Sequence, residues 1–302
     1  MNVLVIGATG YIGSAVSNAL KASGHTVLGT ARSEPAAQDL RNSGVDPILA
    51  DITDPLSITA AAQRSDAAIY VVQYTEPDGA QVERAALQAL VDAFEGSGKV
   101  LLYTSGAWLY GDSGERLVDE QSPLNPTPLV AHRPGLERIV LDGAARNIRS
   151  MVVRPGDVYG DGGGLPAMWV KSAKDEGAAR FVGDGNNHWP VVHVDDLAQL
   201  YVLMMTRGAA GDVYNASDDT SFTVREMATS ASHGAGKGSA VLSWPLDEAR
   251  TAMGAFADAL ALDIHMSSKK ARDAFGWQPR TSTILDDLRF GSYTKEDTAT
   301  GT

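Results

Sequence analysis

Short apolar runs alternate along this chain with segments in which apolar residues recur at helical spacing. Most of the runs are apolar throughout and rich in aliphatic and β-branched residues, which is typical of parallel strands covered on both faces. The alternation therefore predicts βαβ units in an α/β fold with a doubly wound parallel sheet. The runs predicted to be strands are Asn2 to Gly7, Thr26 to Ala31, Pro47 to Ala50, Ala67 to Val72, Lys99 to Ser105, Arg149 to Arg154 and Asp212 to Ala216.

Helical periodicity is clearest just after the first run, where an apolar stripe extends from Ile12 to Leu20 and Ser23-Gly24 ends it. Further helices are predicted at Pro55 to Arg64, Gln81 to Glu95 and Pro128 to Arg146. Pro134 is a candidate for a kink in the last of these helices.

Composition and charge exclude several classes of function. The 302 residues are 44% hydrophobic and 21% charged, which is typical of a globular protein. A net charge of -12 disfavours nucleic acid and anionic membranes as partners. The absence of cysteine excludes disulfides, zinc thiolate sites and thiol nucleophiles.

Two further expectations concern location and metals. The first apolar run begins without a basic leader and glycines interrupt it, so we expect neither a signal peptide nor a membrane span, and a cytoplasmic location by default. No His or acidic cluster has a recognised ligand spacing, so no metal site is expected; Asp195 and Asp196 are better explained as acids at a helix start.

The strongest motif is GATGYIG at residues 7–13, which has GxxGxxG spacing where a strand passes into a helix. Such glycines permit the tight turn, the approach of backbone to a pyrophosphate and the close packing of helix on strand. The phosphates then lie at the positive end of the helix. The candidate dinucleotide-binding residues of this turn are Gly7, Thr9, Gly10, Tyr11, Ile12 and Gly13.

The end of the second strand favours one form of the cofactor. A carboxylate there usually binds the ribose of NAD, whereas an arginine accommodates the 2′-phosphate of NADP. Here Arg32 and Ser33 follow the strand, and the guanidinium and hydroxyl could both bind phosphate. NADP(H) is therefore favoured over NAD(H), although a solvated surface arginine is the alternative interpretation of Arg32.

Motifs spread over the chain resemble those of the extended short-chain dehydrogenase/reductases, and more narrowly the NAD-dependent epimerase/dehydratase-like branch. They are GATGYIG at 7–13, Asp51-Ile52, YTSGAWLYG at 103–111, RPGDVYG at 154–160 and HVDDLA at 193–198. The glycine-rich pattern after Arg154 and the small polar residues at the end predict a Rossmann domain over residues 1–160 with 190–225 returning to it, a substrate lobe from 161–189 and 226–290, and a flexible tail over 291–302. The resemblance implies that Asp51 and Ile52 flank the adenine and that Pro155 lies against the nicotinamide, although Asp51 taken alone could equally be a helix N-terminal or loop acid.

The family's catalytic tyrosine and lysine are missing. Alignment on Glu137 places Leu129 at the tyrosine and Arg133 at the lysine. Arg133 can hydrogen-bond a ribose but cannot act as a base, and a salt bridge with Glu137 is its alternative role. The family's hydroxyl position is Gly106, and Ser105, one place earlier, is expected on the opposite side of the strand.

A substitute proton donor is therefore needed for ordinary carbonyl chemistry. His132 is the first candidate because it lies near Leu129 on the helix, and Asp157 and Tyr110 follow. Each of these could equally be a surface or core residue. By matched position, the residues expected near the substrate are Trp108, Asp157, Tyr159 and Asn187.

Three functions remain open at this point. The first is an NADP(H)-dependent oxidoreductase acting on a small or medium organic substrate, since the cofactor itself carries the hydride. The second is a redox-neutral epimerase, isomerase or cyclase that retains the nucleotide, and the third is a non-catalytic NADP(H)-sensing regulator. The resemblance also implies a homodimer formed through the helices predicted at 81–95 and 128–146.

Overall fold

The computed structural model describes residues 1–295, in which strands and helices alternate as far as the middle of the chain. The strands within these residues are β1 (Asn2–Ile6), β2 (Thr26–Ala31), β3 (Asp46–Leu49), β4 (Ala67–Tyr70), β5 (Val100–Thr104), β6 (Leu117–Val118), β7 (Arg149–Pro155), β8 (Asp157–Tyr159), β9 (Ala179–Val182), β10 (Val191–His193), β11 (Val213–Ala216), β12 (Val241–Trp244) and β13 (His265–Met266).

The helices have well-defined bounds over the same residues. They are α1 (Tyr11–Ala22), α2 (Glu34–Asn42), α3 (Pro55–Gln63), α4 (Gly79–Phe94), α5 (Arg133–Asp142), α6 (Pro166–Glu176), α7 (Val194–Arg207), α8 (Val224–Gly234), α9 (Leu246–Met253), α10 (Ala255–Leu260), α11 (Lys269–Phe275) and α12 (Ile284–Phe290).

Seven strands form one parallel sheet in the order β11-β7-β5-β4-β1-β2-β3, which confirms the predicted α/β fold with a doubly wound sheet. Each predicted strand overlaps one of these seven. The strand order reverses between β1 and β4, and in open parallel sheets a ligand crevice forms at the carboxyl ends of the strands at such a point.

Two helical layers cover the sheet. Helices α1, α2, α7 and α11 bury their apolar residues against one face, and α3, α4 and α5 cover the other. Helix α1 packs on α7, while α4 packs on both α3 and α5. Because both faces are covered, the strands are apolar throughout, as their sequences indicated.

The predicted helix from Pro128 to Arg146 is wrong as a single element. A 3₁₀ turn at Pro128–Val130 precedes α5, which begins at Arg133, and a second 3₁₀ turn covers Gly143–Arg146. Pro134 lies in the first turn of α5, where a missing N–H costs no helical hydrogen bond. The proline therefore starts the helix and does not kink it.

A second apolar core lies beside the sheet domain, where α6, α8, β9 and β12 pack around Trp169 and Trp189. These two indole rings stack with their centroids 5.1 Å apart. Tyr293 joins this core, and its hydroxyl donates to the Gly163 carbonyl at 2.6 Å. Hydrogen bonds therefore anchor residues 291–294, in contrast to the flexible tail expected there, and residues 296–302 lie outside the described part of the chain.

Over residues 1–295, no helix combines the length and the apolar character needed to cross a bilayer.

Candidate functional site

A cavity of about 550 Å³ lies where the strand order reverses, at the carboxyl ends of β4, β5 and β7. Ile12 at the start of α1 and Pro155 at the end of β7 line it from the sheet domain. Leu165 and Phe256 line it from the segments that pack beside the sheet. The cavity therefore joins the glycine turn to the second core.

The turn between β1 and α1 has the geometry that its glycines require. Gly7 has φ +97°, in the left-handed region that favours glycine. A Cβ atom on Gly13 would lie 1.9 Å from the Gly7 carbonyl oxygen, so only glycine allows α1 to pack this closely on β1. Thr9 and Gly10 are exposed on the turn, and Gly10 is the N-cap of α1 without a side-chain cap.

The first turn of α1 presents unpaired amide groups. The N–H groups of Tyr11, Ile12 and Gly13 have no acceptor among the described residues. Free amides at a helix N-terminus bind phosphate oxygens well. The Tyr11 hydroxyl donates to the Gly160 carbonyl at 2.7 Å, which ties the turn to the loop after β8. The turn therefore fits a dinucleotide pyrophosphate.

Residues after β2 and β3 lie where an adenosine end would extend. Arg32 is exposed and forms no ion pair within residues 1–295. The Ser33 hydroxyl accepts a hydrogen bond from the Ala36 amide at 3.4 Å and so caps α2. Asp51 accepts hydrogen bonds from the amide and hydroxyl of Thr53, both at 2.9 Å, which gives it a loop-stabilising role. Ile52 beside it is buried.

Arg133 lines the cavity and is 7% exposed. The salt bridge with Glu137 considered from the sequence is absent, because Glu137 accepts two hydrogen bonds from Arg154, at 2.9 and 2.6 Å. The Arg133 guanidinium has no hydrogen-bond partner among the described residues, and its Nε atom is fully buried. A buried charge of this kind is costly unless a ligand supplies acceptors.

The structure corrects the expectation for Ser105. Strand β5 ends at Thr104, so the alternation of a strand does not extend to Ser105 and Gly106, and both line the cavity. The Ser105 hydroxyl is buried and has no hydrogen-bond partner in the described residues. Leu129, at the position of the family's tyrosine, also lines the cavity and can move no proton.

Asp157 is the acidic residue of the cavity wall. Its carboxyl is enclosed by protein, although part of it is open to the cavity, and burial raises its pKa to about 7, against the smaller opposing effect of a hydrogen bond with Trp108. Trp108 lines the cavity too, and its ring packs edge-on against Phe256 with centroids 6.0 Å apart. Asp157 can therefore hold or release a proton near neutral pH.

Two of the sequence candidates for proton transfer lie outside the cavity wall. His132 precedes α5 and is half-buried, and burial together with the charge of Arg133 lowers its pKa. The Tyr110 hydroxyl donates to Asn215 at 2.8 Å and accepts from Arg154 at 2.9 Å. Tyr110 is thus a structural residue, because its hydroxyl lies in a buried hydrogen-bond network and the residue does not line the cavity.

Two of the predicted substrate contacts are also structural. The Tyr159 hydroxyl donates to the Ser282 carbonyl at 2.9 Å inside the second core. The Asn187 amide donates to the carbonyls of Leu260 and Leu262, at 3.2 and 2.9 Å, and so fastens its loop to the end of α10. Neither side chain lines the cavity. The motifs predicted where the two residues lie along the chain, but they did not determine the direction of the side chains.

Some residues of the cavity wall were not predicted from the sequence. Phe256 and Leu165 come from segments without a recognisable motif, and only tertiary packing brings them to the cavity. Gln73 and Thr75 follow β4 and add polar groups to the same wall. A polar pair after a parallel strand was the one available signal for these two residues.

The sheet order and the glycine turn together define a Rossmann-type fold. The sequence profile of the NAD dependent epimerase/dehydratase family matches residues 3–217, and the chain belongs to this family, which confirms the resemblance read from its motifs.

Three similar proteins illustrate this relationship. An uncharacterised protein of Saccharomyces cerevisiae, YLL056C, is 29% identical over 299 residues, which cover 96% of this chain and 98% of the relative. A 3-diazoavenalumate denitrifying reductase from a Streptomyces species is 29% identical over 247 residues, covering 72% and 77%. The crystal structure of dTDP-glucose 4,6-dehydratase from Bacillus anthracis in complex with NAD has a TM-score of 0.81 at 17% identity, covering 97% of this chain and 96% of that one. This last similarity shows the shared fold.

Proposed function

We propose that the protein is an NADP(H)-dependent reductase of a small or medium, largely apolar ketone, imine or activated alkene, with Asp157 as the proton donor. One observation carries the proposal: a single cavity contains both the amide end of α1 and a carboxyl group with a pKa of about 7. The first feature suits a dinucleotide and the second suits proton transfer.

The described residues provide contacts for each part of the cofactor. The free amides of α1 would hold the pyrophosphate, the unpaired guanidinium of Arg133 the nicotinamide ribose, and Pro155 would lie against the ring. Arg32 and Ser33 would bind the 2′-phosphate, because both are exposed beside the end of β2 and neither of the two positions directly after that strand is a carboxylate. The similar dehydratase contains NAD in its crystal structure, which supports a dinucleotide in this fold.

The chemistry divides between the cofactor and Asp157. Reduction of a C=O, C=N or activated C=C bond takes up a hydride, which the reduced nicotinamide would supply when bound, and one proton, which the Asp157 carboxyl donates. Solvent then returns a proton to the carboxylate. Ser105 lines the same wall, and a rotation of its side chain would bring the unpaired hydroxyl to the substrate oxygen.

The cavity wall indicates the class of substrate. Beside Asp157 the wall is mostly apolar, and it includes two aromatic side chains, Trp108 and Phe256. Sugar nucleotides carry diphosphate and hydroxyl groups, for which this part of the wall has few polar partners. Enones, imines and ketones with an apolar or aromatic body fit it better, and the Streptomyces relative named as a reductase supports this direction of chemistry.

The test measures NADPH oxidation with a panel of enones, imines and ketones in wild-type protein and in the Asp157→Asn variant. We expect kcat to fall by about a hundredfold or more in the variant, while its affinity for NADPH is retained. Asp161→Asn is the matched control, because Asp161 is an exposed acid four positions away and outside the cavity wall. Unchanged turnover in Asp157→Asn would refute the assigned donor, and product formed without loss of NADPH would favour a redox-neutral enzyme.

The cofactor preference and the assembly have their own tests. Arg32→Ala should weaken NADPH binding by about tenfold or more and leave NADH binding unchanged, since only NADPH carries the 2′-phosphate. Arg64→Ala, at the end of α3, is the control variant.

We also propose a homodimer formed through α4 and α5, which pack side by side on one face. A sedimentation equilibrium experiment that gives the mass of a single chain would refute the dimer.

A further inference from the structure

Three side chains far apart in sequence meet outside the cavity described above. His188 lies in the loop between β9 and β10, Asp263 lies two residues before β13, and His265 is the first residue of β13. The His188 amide donates to the Asp263 carboxylate at 2.7 Å, and the Ile264 amide donates to the His188 carbonyl at 3.0 Å. One backbone hydrogen bond and one bond from a backbone amide to the Asp263 carboxylate thus hold the two segments together independently of the imidazole rings.

The spacing of the three groups suits a common ligand. His188 Nδ1 lies 3.0 Å and His265 Nε2 lies 3.6 Å from the Asp263 Oδ1 atom. One candidate ligand atom from each residue falls within 4.8 Å of the other two. Tetrahedral zinc with bonds of about 2.0–2.2 Å places its ligand atoms about 3.3 Å apart. Small side-chain rotations would therefore bring all three atoms onto one ion.

The surroundings leave room for water as a fourth ligand. The three side chains are each about a quarter exposed. A separate cavity of about 220 Å³ opens onto both imidazoles, and Thr220 and Ser221 line it with hydroxyl groups. The Ser221 hydroxyl lies 3.5 Å from His265 Nδ1, which leaves the Nε2 atom of that ring directed at Asp263. Such a partner on the second ring nitrogen is usual for a metal-binding histidine.

We propose that His188, Asp263 and His265 bind one divalent cation, with zinc as the favoured ion and water completing the tetrahedron. Two neutral imidazoles and one carboxylate match the ligand preference of zinc, and the carboxylate partly neutralises its charge. The ion joins the loop before β10 to the segment before β13. Because none of the three residues lines the first cavity, this site is independent of the proposed reductase activity.

Tag-free full-length protein, treated with a chelator and then desalted, provides the first test. Zinc is titrated by calorimetry, and cobalt is titrated with its visible absorption as the readout, which responds to tetrahedral coordination by nitrogen and oxygen. We expect saturable binding of one ion per chain and a higher melting temperature with the ion. Absence of saturable binding by either ion would overturn the proposal.

Variants then locate the ion. Asp263→Asn keeps an oxygen that can accept from the His188 amide, so the loop pairing survives while the charged ligand is lost. Asp263→Asn and His265→Gln should each weaken zinc by more than about tenfold. His233→Gln is the matched control, because His233 is half-buried on α8 and bonds to Ser239 away from the cluster. Equal zinc affinity in wild-type protein and in both cluster variants would place the ion elsewhere and refute the site.

Discussion

The protein buries two arginines near Glu137, and within residues 1–295 only Arg154 of the two forms an ion pair. Arg154 forms a bidentate ion pair with Glu137, whereas Arg133 hydrogen-bonds no acceptor among the described residues and only lowers the pKa of the buried Glu83 carboxyl through its charge, as the smallest of the three effects on that group. Removing one member of a buried pair leaves the other charge unpaired, but removing an unpaired buried charge relieves a desolvation cost. The same substitution at Arg133 and at Arg154 should therefore change the free energy of unfolding in opposite directions.

We predict that Arg133→Met keeps or raises the free energy of unfolding of the cofactor-free protein, while it weakens NADPH binding by about tenfold or more. Arg154→Met, as the matched variant, should lower the free energy of unfolding by about 3–5 kcal/mol. Urea denaturation and fluorescence titration with NADPH measure both quantities. An equal loss of stability in the two variants would show that Arg133 has a structural role.

Asp157 makes both activity and stability depend on pH. Its pKa is raised to about 7 by burial, so the proton it donates is present below that pH and is lost above it. We predict that kcat/KM for reduction falls by about tenfold per pH unit above pH 7. A rate that stays flat to pH 9 with wild-type protein would contradict donation by this carboxyl.

The same group gives a linkage prediction for folding. With a folded pKa above the unfolded value of about 3.9, the folded state binds more protons, so this contribution to stability is complete below pH 4 and is lost as pH rises through 7. Asp157→Asn removes the dependence. Urea denaturation at pH 5 and pH 8 measures the free energy of unfolding of the variant relative to that of the wild type. This difference should be about 2 kcal/mol more favourable to the variant at pH 8 than at pH 5.

At the scale of the elements, the contact between β1 and α1 depends on one missing methyl group. A Cβ atom on Gly13 would lie 1.9 Å from the Gly7 oxygen, so Gly13→Ala must push α1 away from the strand. We predict a loss of about 1–3 kcal/mol in the free energy of unfolding and at least about tenfold weaker NADPH binding. Gly10→Ala is the control, since φ is -77° there and the nearest contact is 3.2 Å, so its loss should stay within about 1 kcal/mol. Chemical denaturation measures the free energy of unfolding of both variants. An equal value for Gly13→Ala and Gly10→Ala would contradict the packing role of Gly13.

The elements also show what the sequence can and cannot predict. The seven strands were predictable because a buried parallel strand has an apolar run of its own, bounded by glycine or polar residues. The helix from 128 to 146 was not, because Pro134 is compatible both with a kink and with a helix start, and only the packing of α5 on α4 selects the start. Local pattern therefore determined the sheet, and tertiary contact determined the ends of this helix.

The site residues likewise divide into those that the sequence can predict and those that it cannot. Gly13, Arg133 and Asp157 were predictable because each occupies a position fixed relative to a strand or a motif. Tyr110 belonged to a motif as well, but its hydroxyl bonds to Arg154, and the direction of a side chain follows from its neighbours in space. The cluster of His188 with Asp263 spans 75 positions and has no local spacing to reveal it.

On the scale of the whole molecule, residues of the sheet domain and residues of the second apolar core both line the cavity. The sheet domain contributes the amide end of α1, Arg133 and Asp157, whereas Phe256 on α10 reaches the cavity from the second core and packs against Trp108. A cofactor held by the sheet domain and a substrate held partly by the second core should therefore respond to different substitutions. Cofactor binding and substrate binding can be separated on this basis.

Phe256→Ala tests that separation. We predict that KM for an apolar substrate rises by about tenfold, because an aromatic contact in a pocket contributes roughly 1–2 kcal/mol, while NADPH affinity stays unchanged. Phe290→Ala is the control, since Phe290 is 72% exposed and lies away from the cavity wall. Steady-state kinetics and NADPH titration on the same preparations give both numbers. If Phe256→Ala weakened NADPH as strongly as the substrate, the second core would have to contact the cofactor, and the substrate would have to bind mainly against the sheet domain.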